Sequence, residues 1–455
     1  MRRLPERDRV DVRLAEGRLR RRHVRAVARS LAALHARAPR VAPQGEPADA
    51  LRACIGLRVA DFEGLARSRS APAARAEAAP PLHAAIAQPP PDAAASAEAP
   101  DEATARALAR AERWQLEQVE RSEALLVERA ASGRLRDGHG DLALDRVFVA
   151  GDREVRVVSR LDAAPAVRGG DVCADVAAFA SALAAEGRSD HAELFLAEYA
   201  RAAADYDAFG LVDLYASLAA STRARLELAC ARVRAPDERA SAASAAAARR
   251  CALLAVSAPL RPLLPPVVVA IGGEVATGKT TAAKWIARRV GAPFVTADRV
   301  RSELLGGRRD GAHHEVHWER AYAPGFGERV YAEVVRRARA VLASGRPVLL
   351  DGCFRSRAQR ALARALAREF GHPFLFVEVC ATAEAQRARL LRRARRDGEP
   401  ASTWLEIARA LRREWEPPVE LPDAERMRLD ASAPRAELVA QVRARIPTWP
   451  RELTG

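Results

Sequence analysis

The apolar run Val267-Val268-Val269-Ala270-Ile271 stops at Gly272-Gly273, and Gly273 opens a G-x-x-x-x-G-K-T segment that ends at Thr280. A strand that breaks at a glycine turn and restarts as a helix at Lys279 leaves few folds open. The glycines let successive backbone N–H groups turn inward, and the helix N-terminus behind them favours anions. Gly273, Glu274, Val275, Ala276, Thr277, Gly278, Lys279, Thr280 and Thr281 therefore read as a cradle for the phosphates of ATP or GTP. Lys279 supplies a compact charge, and the Thr280 hydroxyl is placed to ligate Mg2+. Only two lysines, Lys279 and Lys284, stand among 74 basic residues. A planar guanidinium would not fit among the amides of such a nest, so lysine is physically required there.

Beyond this loop the chain alternates strand and helix. Strands are expected at Val267–Gly272, Pro293–Thr296, Pro347–Asp351, Phe374–Val379 and Arg426–Leu429. Helices are expected to begin near Lys279, Arg299, Gly327, Ser356, Ala383, Ser402 and Pro434. That rhythm predicts an α/β domain over 267–446, a mostly parallel sheet with helices on both faces. Ligands of such sheets sit beyond the carboxyl ends of the strands. The second strand runs into Asp298, and Arg301 follows one helical turn later. Asp298 is a candidate base for an attacking hydroxyl, a role the neighbouring phosphate loop favours over that of a plain helix cap, and Arg301 is a candidate holder of substrate. Asp351 ends the third strand after Val348-Leu349-Leu350, a position from which a carboxylate acts on magnesium. Arg389, Arg393 and Arg396 fall at i, i+4 and i+7 on an expected helix, as cations on a lid that could neutralise the transferring phosphoryl group. His313, His314 and His317 cluster in a glycine-marked loop where no carboxylate or cysteine completes a convincing ligand set, and they read as part of a substrate-binding region.

These residues carry a resemblance to P-loop kinases of the gluconate-kinase, zeta-toxin and polynucleotide 5′-hydroxyl kinase type, covering about 267–446. The resemblance implies ATP and Mg2+ as cofactors and phosphoryl transfer to an alcohol, with Lys279, Asp298, Arg389 and Arg393 as catalytic candidates. The first half differs. Asp137-Gly138-His139-Gly140-Asp141 through Arg146 resembles the H-G-D-x-x-x-x-N catalytic loop of aminoglycoside phosphotransferases. Asp141 then matches the base, Arg146 stands where the family places a magnesium-ligating Asn, and Ser159 stands where it places a metal-binding Asp. A cation at the first position would repel magnesium. Residues 1–256 are thus expected to be a mainly helical domain resembling the large lobe of that family, degenerate and catalytically inert. No Gly-rich strand pair and no lysine precede the loop in this chain. An Ala-, Pro- and Ser-rich insert at 68–100 is expected to be disordered, and a proline-bearing linker at 257–266 to separate the domains. The order of the two halves resembles proteins described as bifunctional aminoglycoside phosphotransferase and ATP-binding protein.

The net charge of +15 comes from arginine spread over the whole chain, without an aromatic-interleaved basic stripe, so nucleic acid is not the expected partner. Six scattered cysteines without a C-x-x-C pair fit reduced thiols, and no apolar run is long enough for a membrane span. The expected protein is cytoplasmic, with a small hydroxylated molecule as its acceptor. A polynucleotide 5′-hydroxyl kinase and a nucleotide-gated regulatory protein without kinase activity remain the alternatives.

Overall fold

The computed structural model describes residues 4–43, 45–63, 66–67, 101–158, 169–257, 264–306, 325–398 and 400–446. The insert at 68–100, residues 258–263 of the linker, Ser159 and the His313, His314, His317 cluster lie outside the described residues. The chain divides into two compact units, Met1–Arg261 and Pro262–Gly455.

The first unit is mainly helical: α1 (Val10–Ala15), α2 (Arg21–Arg37), α3 (Pro47–Ile55), α4 (Glu102–Ala131), α5 (Cys173–Ala185), α6 (Ser189–Ala203), α7 (Val212–Val233) and α8 (Glu238–Ser257). Residues 10–37 form two helices, α1 and α2, because the chain turns at Gly17 with φ +64°. On α2 the apolar face buries Val24, Val27 and Leu31, but the last core position belongs to His35, with Leu34 half-buried. Alanine lets three helices approach closely: Ala107 and Ala111 of α4 meet Ala220 and Ala224 of α7 and Ala248, Ala252 and Ala255 of α8. Two short antiparallel pairs complete the unit. β1 (Leu135–Arg136) pairs with β4 (Gly170–Asp171), and β2 (Val147–Ala150) forms a hairpin with β3 (Glu154–Val157).

The second unit is an α/β fold around five parallel strands, β5 (Val268–Gly272), β6 (Phe294–Thr296), β7 (Val348–Asp351), β8 (Phe374–Cys380) and β9 (Arg426–Asp430), in the order β6-β7-β5-β8-β9. Every residue of β5 and β7 is buried, as a strand covered on both faces demands, and this is why they read as unbroken apolar runs. Helix α9 (Lys279–Val290) packs through Ile286 and Val290 on one face, with Val442 and Ile446 from α15 (Arg435–Arg445) and the residue after it. On the sheet, α11 (Phe326–Ala343) meets β6 and β7, and α12 (Arg357–Glu369) meets β5 and β8. The remaining helices are α10 (Ala297–Leu304), α13 (Ala383–Asp397) and α14 (Ala401–Arg413). The sheet order puts the carboxyl ends of β5, β6 and β7 side by side, where the glycine loop, Asp298 and Asp351 all lie. No helix among the described residues is long and apolar enough to cross a membrane.

Candidate functional site

The glycine loop leaves β5 through Gly273, whose φ of +134° brings its backbone so close to Val379 that a Cβ would stand 2.4 Å from the Val379 carbonyl. Only glycine fits that turn. Gly278, at φ +99°, caps α9 on the other side. Between them Ala276 is held at φ +63°, a left-handed conformation that is strained for a residue with a Cβ. Several groups of the loop are engaged within the unit. Thr277 Oγ1 donates to the Glu274 carbonyl at 3.0 Å, and Lys279 Nζ donates to the same oxygen at 2.5 Å. The Gly273 N–H donates to the Cys353 carbonyl at 3.1 Å.

The carboxylates expected at the strand ends converge on this loop. Thr280 Oγ1 donates to Asp351 at 3.0 Å. Burial pushes the Asp351 carboxyl up to about 7, helped by the nearby Asp298 charge and opposed by Thr280, Lys279 and Lys284. Two hard oxygen donors this close, one a carboxylate whose charge is penalised by burial, suit a divalent cation such as Mg2+. Among the described residues no group of three or more His, Cys, Asp or Glu gathers as a metal site, so any ion there would take its other ligands from nucleotide and water. Asp298 does not cap its helix: Thr296 occupies the cap position and Asp298 lies in the first turn of α10. Its carboxylate is largely exposed and accepts from Arg301 at 2.8 Å, so these two sequence candidates form one pair at the crevice.

A feature invisible in the sequence braces the rim next to Asp351. Phe354 is fully buried at φ +47°, strained for a bulky residue. Its N–H donates to the Tyr331 hydroxyl at 2.9 Å, and its carbonyl accepts from Arg360 at 3.0 Å. The Arg360 guanidinium is itself buried, bonded to Glu420 at 2.6 and 3.0 Å and to the Glu416 carbonyl at 2.9 Å. This bracing fixes the Cys353 carbonyl that receives the first amide of the glycine loop. Nothing in the spacing of Tyr331 or Arg360 signals it.

The arginines of α13 are placed differently from a phosphate-facing row. Arg389 donates to the carbonyls of Ala276 and Thr277 at 3.1 and 2.7 Å. The Arg393 guanidinium lies 4.1 Å from the Trp404 ring centre and so stacks on α14. The side chain of Arg396 lies outside the described set. Leu390, Ala394 and Trp404 form a small core between α13 and α14 into which Val275 and Ala276 of the loop pack. Arg412 of α14 donates to the Glu274 carboxylate at 2.9 Å. The i, i+4 spacing placed Arg389 and Arg393 on one side of the helix but could not choose their targets.

In the first unit the Asp137–Asp141 segment is organised around Asp175. Its carboxylate accepts from the His139 N–H at 2.6 Å and the Gly140 N–H at 3.0 Å, and His35 Nε2 stands 3.2 Å away. Burial alone would raise the Asp175 carboxyl, but the His35 contact and the His139 amide outweigh it and hold it below the ordinary range. Arg129 pairs with both Asp171 and Asp205 beneath, at 2.7 and 2.6 Å. Arg146 lies 3.5 Å from the Asp141 carboxylate and 3.6 Å from Asp145. A cavity of about 750 Å³ opens against Gly140 and Asp141.

Residues 268–418 match the family described as AAA domain. Two relatives, the uncharacterized protein Mb2027c of Mycobacterium bovis and the uncharacterized protein Rv2004c of Mycobacterium tuberculosis, are each 30% identical over 341 residues. The alignments cover 73% of this chain and 64% of each relative, so the chain spans 64% of the length of the relatives it matches. Among solved structures, a gluconokinase from Sinorhizobium meliloti is 22% identical, with 40% of this chain and 91% of that one covered at a TM-score of 0.27. A sugar kinase from Janibacter sp. is 22% identical, with 40% and 94% covered at a TM-score of 0.28.

Proposed function

We propose that the second unit is an ATP-dependent kinase that transfers a phosphoryl group to a hydroxyl of a small molecule. The observation that carries this reading is the 3.0 Å hydrogen bond between Thr280 of the glycine loop and Asp351, with the Asp298 charge near enough to act on the Asp351 carboxyl. Lys279 and the loop amides bind the phosphates, and Thr280 with Asp351 holds Mg2+, which when bound offsets the charge of the β- and γ-phosphates. Asp298 accepts the proton of the attacking hydroxyl, with Arg301 orienting the carboxylate through their 2.8 Å contact. Its exposure leaves room for an acceptor to approach.

The first unit enters this reading as a non-catalytic module resembling the large lobe of an aminoglycoside phosphotransferase. Arg146 supports that assignment. Its guanidinium sits 3.5 Å from the would-be base Asp141, a place from which it repels a divalent cation. The test is ADP release by the full-length protein against a panel of sugars, sugar acids, aminoglycosides and 5′-hydroxyl oligonucleotides. Release dependent on a small hydroxylated compound supports the reading. Release only with oligonucleotides replaces its acceptor class, and nucleotide binding without turnover on any acceptor removes the kinase.

A further inference from the structure

A trans peptide points its C=O and the following N–H in opposite directions, so fixing one fixes the other. Arg389 holds the Ala276 and Thr277 carbonyls at 3.1 and 2.7 Å. The amides of Thr277 and Gly278 are therefore turned away from Arg389. The same guanidinium lies against Gly278, where a Cβ would come within 3.3 Å of Nη1, so it sits flush on the back of the loop. Ala276, between these contacts, is kept in its left-handed conformation at φ +63°. Released, an alanine there would gain by relaxing toward negative φ, and its peptides would turn with it.

We propose that Arg389 is a positioning residue that holds two peptides of the glycine loop with their N–H groups facing the nucleotide, and that its charge is spent on the loop carbonyls and not on the transferring phosphoryl group. The proposal rests on the reading of this loop as the nucleotide site and assigns Arg389 a different task within it. The α13–α14 pair belongs to the same device. Val275 and Ala276 pack against Leu390, Ala394 and Trp404, so the helix that carries Arg389 is seated on the residues whose backbone it orients. Arg412 adds a second tie through Glu274.

The two roles separate in binding, without any acceptor. A residue touching the γ-phosphate discriminates ATP from ADP, whereas one that orients amides for the whole cradle serves both. Mg-ATP and Mg-ADP binding to the full-length protein would be measured by calorimetry for wild type, Arg389→Met, and Arg389→Met combined with Ala276→Gly. Melting curves for each would confirm folding. Losing a charge-assisted bond of this kind should weaken both nucleotides by about tenfold, with the ratio of the two losses within about twofold. Glycine at 276 carries no left-handed penalty, so the double variant should recover part of that loss for both nucleotides. A loss at least tenfold greater for ATP than for ADP would overturn the proposal in favour of direct phosphoryl contact. No loss for either, or a loss that Ala276→Gly leaves untouched, would also overturn it. Failure of the wild type to bind either nucleotide would instead bring down the reading of the site, and the proposal with it. If Arg389→Met does not fold, Arg389→Gln, which removes the charge and is too short to reach both carbonyls, supplies the same comparison.

Discussion

Two glycine-bearing loops among the described residues are braced by charge of opposite polarity, one by a buried carboxylate and the other by a half-buried guanidinium. In the first unit a carboxylate, Asp175, takes the amides of His139 and Gly140. In the second a guanidinium, Arg389, takes the carbonyls of Ala276 and Thr277. The consequence is simple electrostatics. Amides already satisfied by an internal anion have nothing left for a phosphate, whereas amides freed by an internal cation are donors in search of one. A glycine loop is an anion site only when the protein disposes of its carbonyls. The same comparison holds for the carboxylates. Asp141 faces the cation Arg146, while Asp351 faces the hydroxyl of Thr280 and the like charge of Asp298.

The strongest way to break this contrast is Lys279→Ala. With the cationic grip on the phosphates gone, ATP turnover by the full-length protein should fall by about a thousandfold. Survival within a few-fold would mean that the second loop is not the phosphate site.

Asp298→Asn should lower transfer to an acceptor by about a hundredfold and leave ATP affinity unchanged, because the proposed function has the carboxylate act on the hydroxyl. Equal loss of nucleotide binding would move Asp298 into the metal or nucleotide shell.

Asp351 sharpens the comparison through pH. A carboxyl raised from 3.8 to about 7 binds protons more tightly in the folded state than in the unfolded one. Its penalty is therefore absent below pH 4 and develops as pH rises through 7. The shift of about three units, at about 1.4 kcal/mol each, sets a ceiling of about 4 kcal/mol, and water in the crevice should reduce it to about 2 kcal/mol. In metal-free buffer Asp351→Asn should thus melt higher than wild type at pH 8, with the advantage vanishing near pH 4. An advantage independent of pH would show that the ionised carboxylate carries no such cost.

The smallest expected effect is in the first unit. Asp141→Ala should leave ADP release unchanged within twofold and stability within about 1 kcal/mol, as its half-exposed contact with Arg146 suggests. A large fall in ADP release, in a protein that still melts normally, would make the first loop a second reacting site.

Much of the second unit was legible because its signals are local. The five strands begin within one residue of their expected starts; β5 and β7, covered on both faces, are apolar up to the Gly272 and Asp351 that end them. The first unit was less legible. Its long stretch from 172 to 256 has no strong period; Gly187 (φ +74°) and Pro236 punctuate it after α5 and α7, but the turn at Ala204 (φ +50°) has no glycine to announce it. In the candidate site, motif spacing singles out Lys279, Thr280, Asp298 and Asp351, each of which stands at a strand end or a helix start in the fold.

Sequence alone determined that a strand, a glycine turn and a helix would follow one another at Val268–Val290, and that carboxylates would stand at the ends of two further strands. The backbone conformations that glycine allows and the burial that apolar runs require act over a few residues, and sequence records them directly. Tertiary structure alone decided the strand order, which brings those ends together, and the partners of the long side chains. Arg389 reaches carbonyls 112 and 113 positions away, and Arg393, one turn later, reaches Trp404 instead. Both are arginines on one side of one helix. Their targets differ because the packing of α13 on α14 and on the loop sets what lies within reach of each guanidinium, and no local period encodes that.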